Sequence, residues 1–417
     1  MSGGIGEMAE APPHPVLWLV LYLPYGVATG YVTVTLAWLL SHAGASVAAV
    51  ATLAGLGLAP NTWKVLWAPV VDVTLTAKQW FLIANAVNAA SLAAFAFLPL
   101  TVAMLPVIGW LVLGNSIAGT MTAIAANRMM AYDTTQGDKG RAGGWSQAGN
   151  LGGVGLGGGA GLYVAQHTGH PWIAAVMVAV VCLVCGVALM FLRDPPAPGR
   201  DAPGYLAVLA ATGRDVWGLV QRRVGLLACL LMLLPIGSGS AQSLWAALGK
   251  DWGASADMVA LIGGLLQGVA GIGGCIVGGY ICDRMDRKRA YLLFGLVMAA
   301  ASLAMAFGPR TPMAFLLFAT AYNVVVGLSY AAYSAVTLEA IGRGAAATKF
   351  NLISSISNGP LLVVVLVDGW AQTRWGSRGM LIGESIIGVS GVALYSVVAY
   401  ATRDLTWARL TRRPAAA

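Results

Sequence analysis

Long apolar runs alternate with short polar or charged gaps along the whole chain. Twelve runs stand out, at 16–40, 46–68, 79–100, 104–132, 143–166, 171–192, 225–248, 256–281, 290–308, 312–340, 347–369 and 379–401. A membrane helix needs about 20 mainly apolar residues to cross roughly 30 Å of hydrocarbon. The runs are apolar all round. Barrel strands are short and alternate in polarity, so a β-barrel is excluded. The pattern predicts an all-α membrane protein of twelve transmembrane helices in two sets of six.

Composition agrees. Of 417 residues, 58% are hydrophobic and 10% charged, where a soluble domain carries roughly 25% charged residues. Residues 1–14 contain no Lys or Arg, so the first run reads as a span and not a cleaved leader. Cys182 and Cys185 form a CxxC inside a run with no second pair, which reads as packing. The HTGH segment at 167–170 lacks a third ligand, so no metal is expected. No cofactor is called for. Without a Walker sequence, direct ATP drive is not expected either.

The net charge is +8. Its distribution excludes nucleic acid as the partner, because the basic residues sort by loop and form no single patch. With both ends on one side, that side takes all but Lys250, Arg310, Arg374 and Arg378 of the 24 basic residues. The positive-inside rule then predicts an inner-membrane protein with both termini cytoplasmic. The longest polar interruption, 193–224, divides the chain and predicts a cytoplasmic linker with a short surface helix around 205–211. The expected organisation is a tail (1–14), a six-helix half (15–192), the linker, a second half (225–402) and a tail (403–417).

Polar residues inside the runs recur at helical spacing. Asn351, Ser355 and Asn358 share one face of span eleven, and Ser238, Gln242 and Trp245 one face of span seven. Asn323, Gly327, Tyr330 and Ser334 share a face of span ten, and span five adds Gln147 and Asn150. Hydrocarbon penalises unpaired polar groups, so these faces turn inward, to a cavity or to partner helices. Ionisable residues deep within runs are few, and Arg128, Asp368 and Glu384 stand out. Such residues are functional candidates, Glu384 and Asp368 for ion coupling and Arg128 for cargo. Arg128 and Asp368 are near enough to span ends to reach the interface, and Glu384 could instead pair with Arg374 or Arg378. Spans five and eight are glycine-rich, at 153–158 and 263–274. GVGLGG matches a dinucleotide fingerprint by letter but lacks the strand context, so both segments read as close helix packing.

The segment 279–289, GYICDRMDRKR, concentrates charge between spans eight and nine. Gly279, Asp283, Arg284, Arg287, Lys288 and Arg289 resemble the loop signature of major facilitator transporters. That resemblance implies two six-span halves and transport by alternating access, with this loop as a gating element. The matching loop of the first half reads NTWKVLWAPVVD, with Lys64, Trp67, Pro69 and Asp72. It resembles the branch of muropeptide permeases and acetyl-coenzyme A transporters, which includes siderophore permeases. ATKFNLISSISN at 347–358 resembles the opening of span eleven in that branch. Where the branch tends to carry acids late in span four, this chain has Asn127 and Arg128, which become candidate cargo contacts. The expected protein is a secondary transporter, ion-coupled, taking up a polar organic solute such as a cell-wall fragment or siderophore. Its partners are the bilayer, the solute and protons, and a monomer is expected. A proton-coupled exporter of amphipathic compounds and a non-transporting receptor are the alternatives. An enzyme is not expected, since no convergent nucleophile and base are visible.

Overall fold

The computed structural model describes residues 13–196, 204–221, 223–341 and 346–403. Most of both expected tails, part of the linker, and Arg200, Arg222, Arg343, Arg409, Arg412 and Arg413 lie outside the described residues.

Among the described residues, seven helices are long and apolar enough to cross a membrane. They are Val16–His42, Val102–Asp133, Trp172–Phe191, Ala256–Arg284, Arg287–Phe307, Pro312–Ile341 and Ala346–Ala401. The last is two spans, eleven and twelve, joined at Gly376 (φ 66°, ψ −175°), a backbone conformation essentially confined to glycine. The other four spans are interrupted or diluted. Span two is a chain of short pieces, Val47–Leu58, Pro60–Trp63, Lys64–Leu66 and Ala68–Val73, with Pro60 and Pro69 at two of the joints. Span three, Ala77–Ala94, opens on a capping box in which Thr76 and Gln79 bond each other's backbone. Span five runs through Lys139–Val154, Gly155–Ala160 and Gly161–His167, its middle turn π-helical.

Span seven departs from a continuous helix. Arg223–Leu233 stops, and Ser240–Leu244 and Trp245–Asp251 resume after a gap. Pro235 within the gap has no N–H to continue a helix, and Gly237 and Gly239 take positive φ. Ser238 is therefore in the break, off the helical face shared by Gln242 and Trp245.

The halves share one core at one end and separate at the other. At the end carrying the 8–9 loop, hereafter the basic side, Trp18, Phe81, Ile124 and Met129 pack in one cluster with Leu338, Ile341 and Phe350 of the second half. At the opposite side each half has its own cluster. Tyr31, Leu92 and Ile108 belong to one, and Trp245, Trp252 and Phe315 to the other.

Spans five and eight run antiparallel in a seam between the halves. Gly140 meets Asp283, Gly144 meets Gly279, Gly155 meets Gly268 and Gly159 meets Gly264. Each pair of residue numbers adds to 423, so one register holds along the whole length. A Cβ on Gly155 would lie 2.8 Å from the Gly268 Cα, and one on Gly144 equally close to the Gly279 Cα. Small residues let membrane helices approach to backbone contact in this way. The seam uses only some of the glycines. Gly153 packs on span one instead, where a Cβ would lie 2.5 Å from the Leu23 carbonyl oxygen.

Gly268→Val places a branched side chain against the span-five backbone, and overpacking of this kind costs about 1–3 kcal/mol. The expected outcome is a lower melting temperature in detergent, with Gly273→Val as control, since a Cβ at Gly273 meets nothing within 4 Å. Equal melting temperatures for the two variants would contradict the seam.

Candidate functional site

Two aspartates tie the halves together at the basic side. Asp283, at the end of span eight, accepts hydrogen bonds from the backbone N–H of Gly140 (2.7 Å) and Arg141 (3.1 Å) and from Arg141 Nε (2.9 Å). Asp72, at the end of span two, accepts from the Thr348 N–H (2.8 Å) and Oγ1 (2.7 Å). Each carboxylate thus sits at the first turn of a helix from the other half, where N–H groups lack intrahelical partners and the helix dipole favours an anion. The two contacts are counterparts, loop 2–3 on span eleven and loop 8–9 on span five.

Cations and the linker reinforce this closure. Arg287 pairs with Glu339 at 3.0 Å and also reaches the Gln136 carbonyl. Arg284 is exposed. Buried Arg128 donates to the carbonyls of Val71, Leu75 and Pro196, 3.8 Å from Asp72. The structure puts this arginine in the closure and not at the space between the halves. Trp67 Nε1 donates to Thr120 Oγ1, fixing span two on span four. The linker helix Tyr205–Val220 bridges beneath, with the Tyr205 hydroxyl on the Leu66 carbonyl and Asp215 paired to Lys349 at 2.9 Å.

Deeper in, polar groups of the halves meet between spans one, two, ten and eleven. Asn358 Nδ2 donates to the Asn61 carbonyl (3.1 Å), and Lys64 Nζ donates to Ser354 Oγ (2.7 Å). Tyr25 donates to Asn61 Oδ1, and Tyr22 to Asn127 Oδ1. Tyr25 lies within electrostatic reach of Tyr330, and Tyr22 of Tyr333. Tyr25 also lines a narrow recess with Thr29, Thr33, Asn115 and Ser116. Lys64 thus lies above the closure, in the broken part of span two, and not in the gating loop itself.

The remaining candidates divide. Asn150 Nδ2 donates to Gln147 Oε1 at 3.1 Å, and Gln242 Nε2 to Asn323 Oδ1 at 2.6 Å. Asn351 is buried and donates to the Ala347 carbonyl of its own helix, while Ser355 Oγ is buried without a partner among the described residues. Trp245 is core, packed edge-on against Phe315 and Tyr322. On span ten, Gly327 packs on the span-eight backbone and Ser334 on Gly143, so that part of the stripe is helix contact.

The third cluster is acidic and lies inside the second half. Asp368 and Glu384 are eight residues either side of Gly376, so the hairpin sets them at one depth, about 12 Å from the turn at 1.5 Å per residue. Ser240, the first residue after the break in span seven, places its Oγ against both Asp368 Oδ2 and Glu384 Oε1. Glu384 accepts further from Tyr322, from Ser302 Oγ (3.0 Å) and from the Ala241 N–H (3.5 Å). Among the described residues Asp368 has only Ser240, and its Oδ1 is buried without a partner. Both acids are buried, at 0% and 4% exposure, so neither reaches the interface nor a surface arginine. Arg378 stacks on Phe307 instead. A serine hydroxyl has one hydrogen. It cannot donate to two carboxylates, so the arrangement calls for one further hydrogen between the acids.

Ser240, Ser302, Tyr322, Ser354 and Asn61 were not singled out from sequence. Two tyrosine pairs at i, i+3 carried a signal, Tyr22–Tyr25 in span one and Tyr330–Tyr333 in span ten. Only Tyr330 was identified.

Twelve spans in two halves, closed at one side by paired loop carboxylates and polar at mid-depth between the halves, define a secondary-transporter fold. Residues 18–363 match the Major Facilitator Superfamily, and the chain belongs to that family. It is similar to the Anhydromuropeptide permease of Escherichia coli strain K12, 24% identical over 229 residues, 53% of this chain and 45% of that protein. The matching permease of strain O157:H7 gives the same figures. The chain thus aligns with less than half the length of these relatives. Among solved structures it resembles the human organic anion transporter MFSD10 (TETRAN), with TM-score 0.65, 18% identity, and 91% and 98% of the two chains covered. It also resembles the proton:xylose symporter XylE, with TM-score 0.66, 14% identity and 92% and 95% covered. The E. coli fucose:proton symporter FucP gives TM-score 0.61, 16% identity and 94% and 98% covered. These structures share the fold. The protein is a multi-pass membrane transporter and not an enzyme.

Hydrogen bonds to a charged group contribute about 1.5–3 kcal/mol each. Asp72→Asn with Asp283→Asn should therefore loosen the basic side. Cysteines introduced at Ser354 in this background should label with a water-soluble maleimide at least tenfold faster than in the parent. Equal labelling rates would show that the two aspartates do not hold the halves closed.

Proposed function

We propose that this transporter is a proton-coupled importer of a polar organic solute, with its basic side toward the cytoplasm of a bacterial inner membrane. The carrying observation is the carboxyl pair bridged by Ser240. Glu384 has donors on both oxygens and is the ionised member. Asp368 lacks them and holds the proton, which it donates to Ser240 Oγ, while Ser240 donates to Glu384. The bridge is anchored at the break in span seven, so losing the proton leaves two buried carboxylates facing one hydroxyl, and like charges at that range repel. Span seven then has reason to move. A proton crossing 100 mV supplies about 2.3 kcal/mol for uptake.

The basic residues support the orientation through the positive-inside rule. The solute class rests on the loop and span-eleven resemblances and on the name of the distant relative. These favour a cell-wall fragment, with a siderophore next. The reading takes a monomer as the working state.

Asp368→Asn tests the proton. An amide NH₂ can donate to Ser240 as the carboxyl does, so the fold should hold. In proteoliposomes with an inward proton gradient, the variant should fail to accumulate an anhydromuropeptide yet keep solute exchange, which needs no net proton movement. Accumulation at the parental level would remove Asp368 as the coupling group. Loss of exchange together with melting temperature would make the pair structural.

A further inference from the structure

Among the described residues, Lys64 reaches from one half to the other with no anion as its partner. Lys64 lies at the three-residue turn Lys64–Leu66 that interrupts span two. Its Nζ reaches across to Ser354 Oγ on span eleven at 2.7 Å. Ser354 is eight residues along from Ala346, which sets the contact about 12 Å in from the basic side at 1.5 Å per residue. Neither Lys64 nor Ser354 is fully buried, so both keep an open face. Among the described residues, Lys64 has no carboxylate partner. Four other cations near this side are committed. Arg128 serves three carbonyls, Arg141 and Arg287 serve Asp283, and Lys349 serves Asp215.

A charged side chain at such depth is costly unless something offsets it. A neutral serine oxygen does so weakly. The surroundings are donors. The buried Tyr333 hydroxyl lies within hydrogen-bonding range of Ser354 and Ser357. Asn61 is one turn away and holds Tyr25, which opens onto the recess. One cation from the first half, with the Ser354 and Tyr333 hydroxyls of the second half beside it, suits an anion.

We propose that Lys64, Ser354 and Tyr333 form an anion-binding site, and that the cargo enters with a carboxylate or phosphate seated on it. The inference rests on the transport reading but names a property that reading leaves open. Occupation would replace the Lys64–Ser354 contact, so the anion itself would loosen one of the bonds that join the halves. Lysine is suited to this as a compact charge with three donors that can reorient.

Matched charged and neutral sugars test the site on the purified full-length protein, with binding read by tryptophan fluorescence. Glucuronate and glucose 6-phosphate are compared with glucose, and N-acetylmuramate with its methyl ester. In at least one pair the charged member should bind at least tenfold more tightly. Lys64→Met should abolish that preference at an unchanged melting temperature, and Lys64→Arg should retain most of it. The stronger of glucuronate and glucose 6-phosphate distinguishes carboxylate from phosphate. No charge preference in any pair, or a preference that survives Lys64→Met, would overturn the proposal. If Lys64→Met melts early, Lys64→Gln takes its place under the same criterion. The glucose pairs carry no cell-wall chemistry. A preference there with none for N-acetylmuramate would uphold the anion site and count against the cell-wall reading alone.

Discussion

Hydrocarbon offers no water to a backbone or side-chain polar group, and the architecture follows from that constraint. A span can be interrupted only where protein, or a water-lined space within it, takes over the freed hydrogen bonds. Span two breaks where Lys64 meets span eleven, and span seven breaks where Ser240 meets Asp368 and Glu384. The unbroken spans supply packing. The broken ones supply chemistry, because a break turns backbone and side chain toward the interior at a depth where an ordinary helix would show only its flank.

The same constraint explains how the halves close. At the basic side, loop carboxylates find unsatisfied N–H groups at helix starts of the other half, Asp72 on Thr348 and Asp283 on Gly140 and Arg141. These bonds are made near the headgroups, where water can replace them when the halves part. Deeper contacts are either apolar or single polar pairs. A shared core beneath the loops and separate cores at the far side describe a bundle shut at one end. The acidic pair belongs wholly to the second half, so it would report on the shape of that half and not on the distance between the two.

The number of spans and the fold class were legible because crossing length alone sets them. The loop signature was legible because its residues are contiguous. Span seven is not continuous, and PIGSG at 235–239 carries its own warning of a proline followed by two glycines. Tertiary partners were the hidden part. Arg128 looked like a cargo contact because an intramembrane arginine is costly, yet three backbone carbonyls satisfy it. Trp245 shared a face with Gln242 but fills the core. Asp368 and Glu384 are separated by sixteen residues, and only the turn at Gly376, midway between them, brings them together. That symmetry was available in the sequence once the turn was placed. The serine that joins them comes from a different span, and no spacing rule could have supplied it.

The five–eight seam has a thermal consequence. Side chains ordered at an interface lose rotamer freedom, up to about 1.5–2 kcal/mol for the long ones. Gly144, Gly155, Gly159, Gly264, Gly268 and Gly279 have no rotamers to lose. Backbones already fixed as helices meet there without further ordering, so making or parting the seam changes conformational entropy little. A bundle whose halves moved on such a surface would give up little side-chain freedom there, so the seam itself would add little entropic bias to either shape.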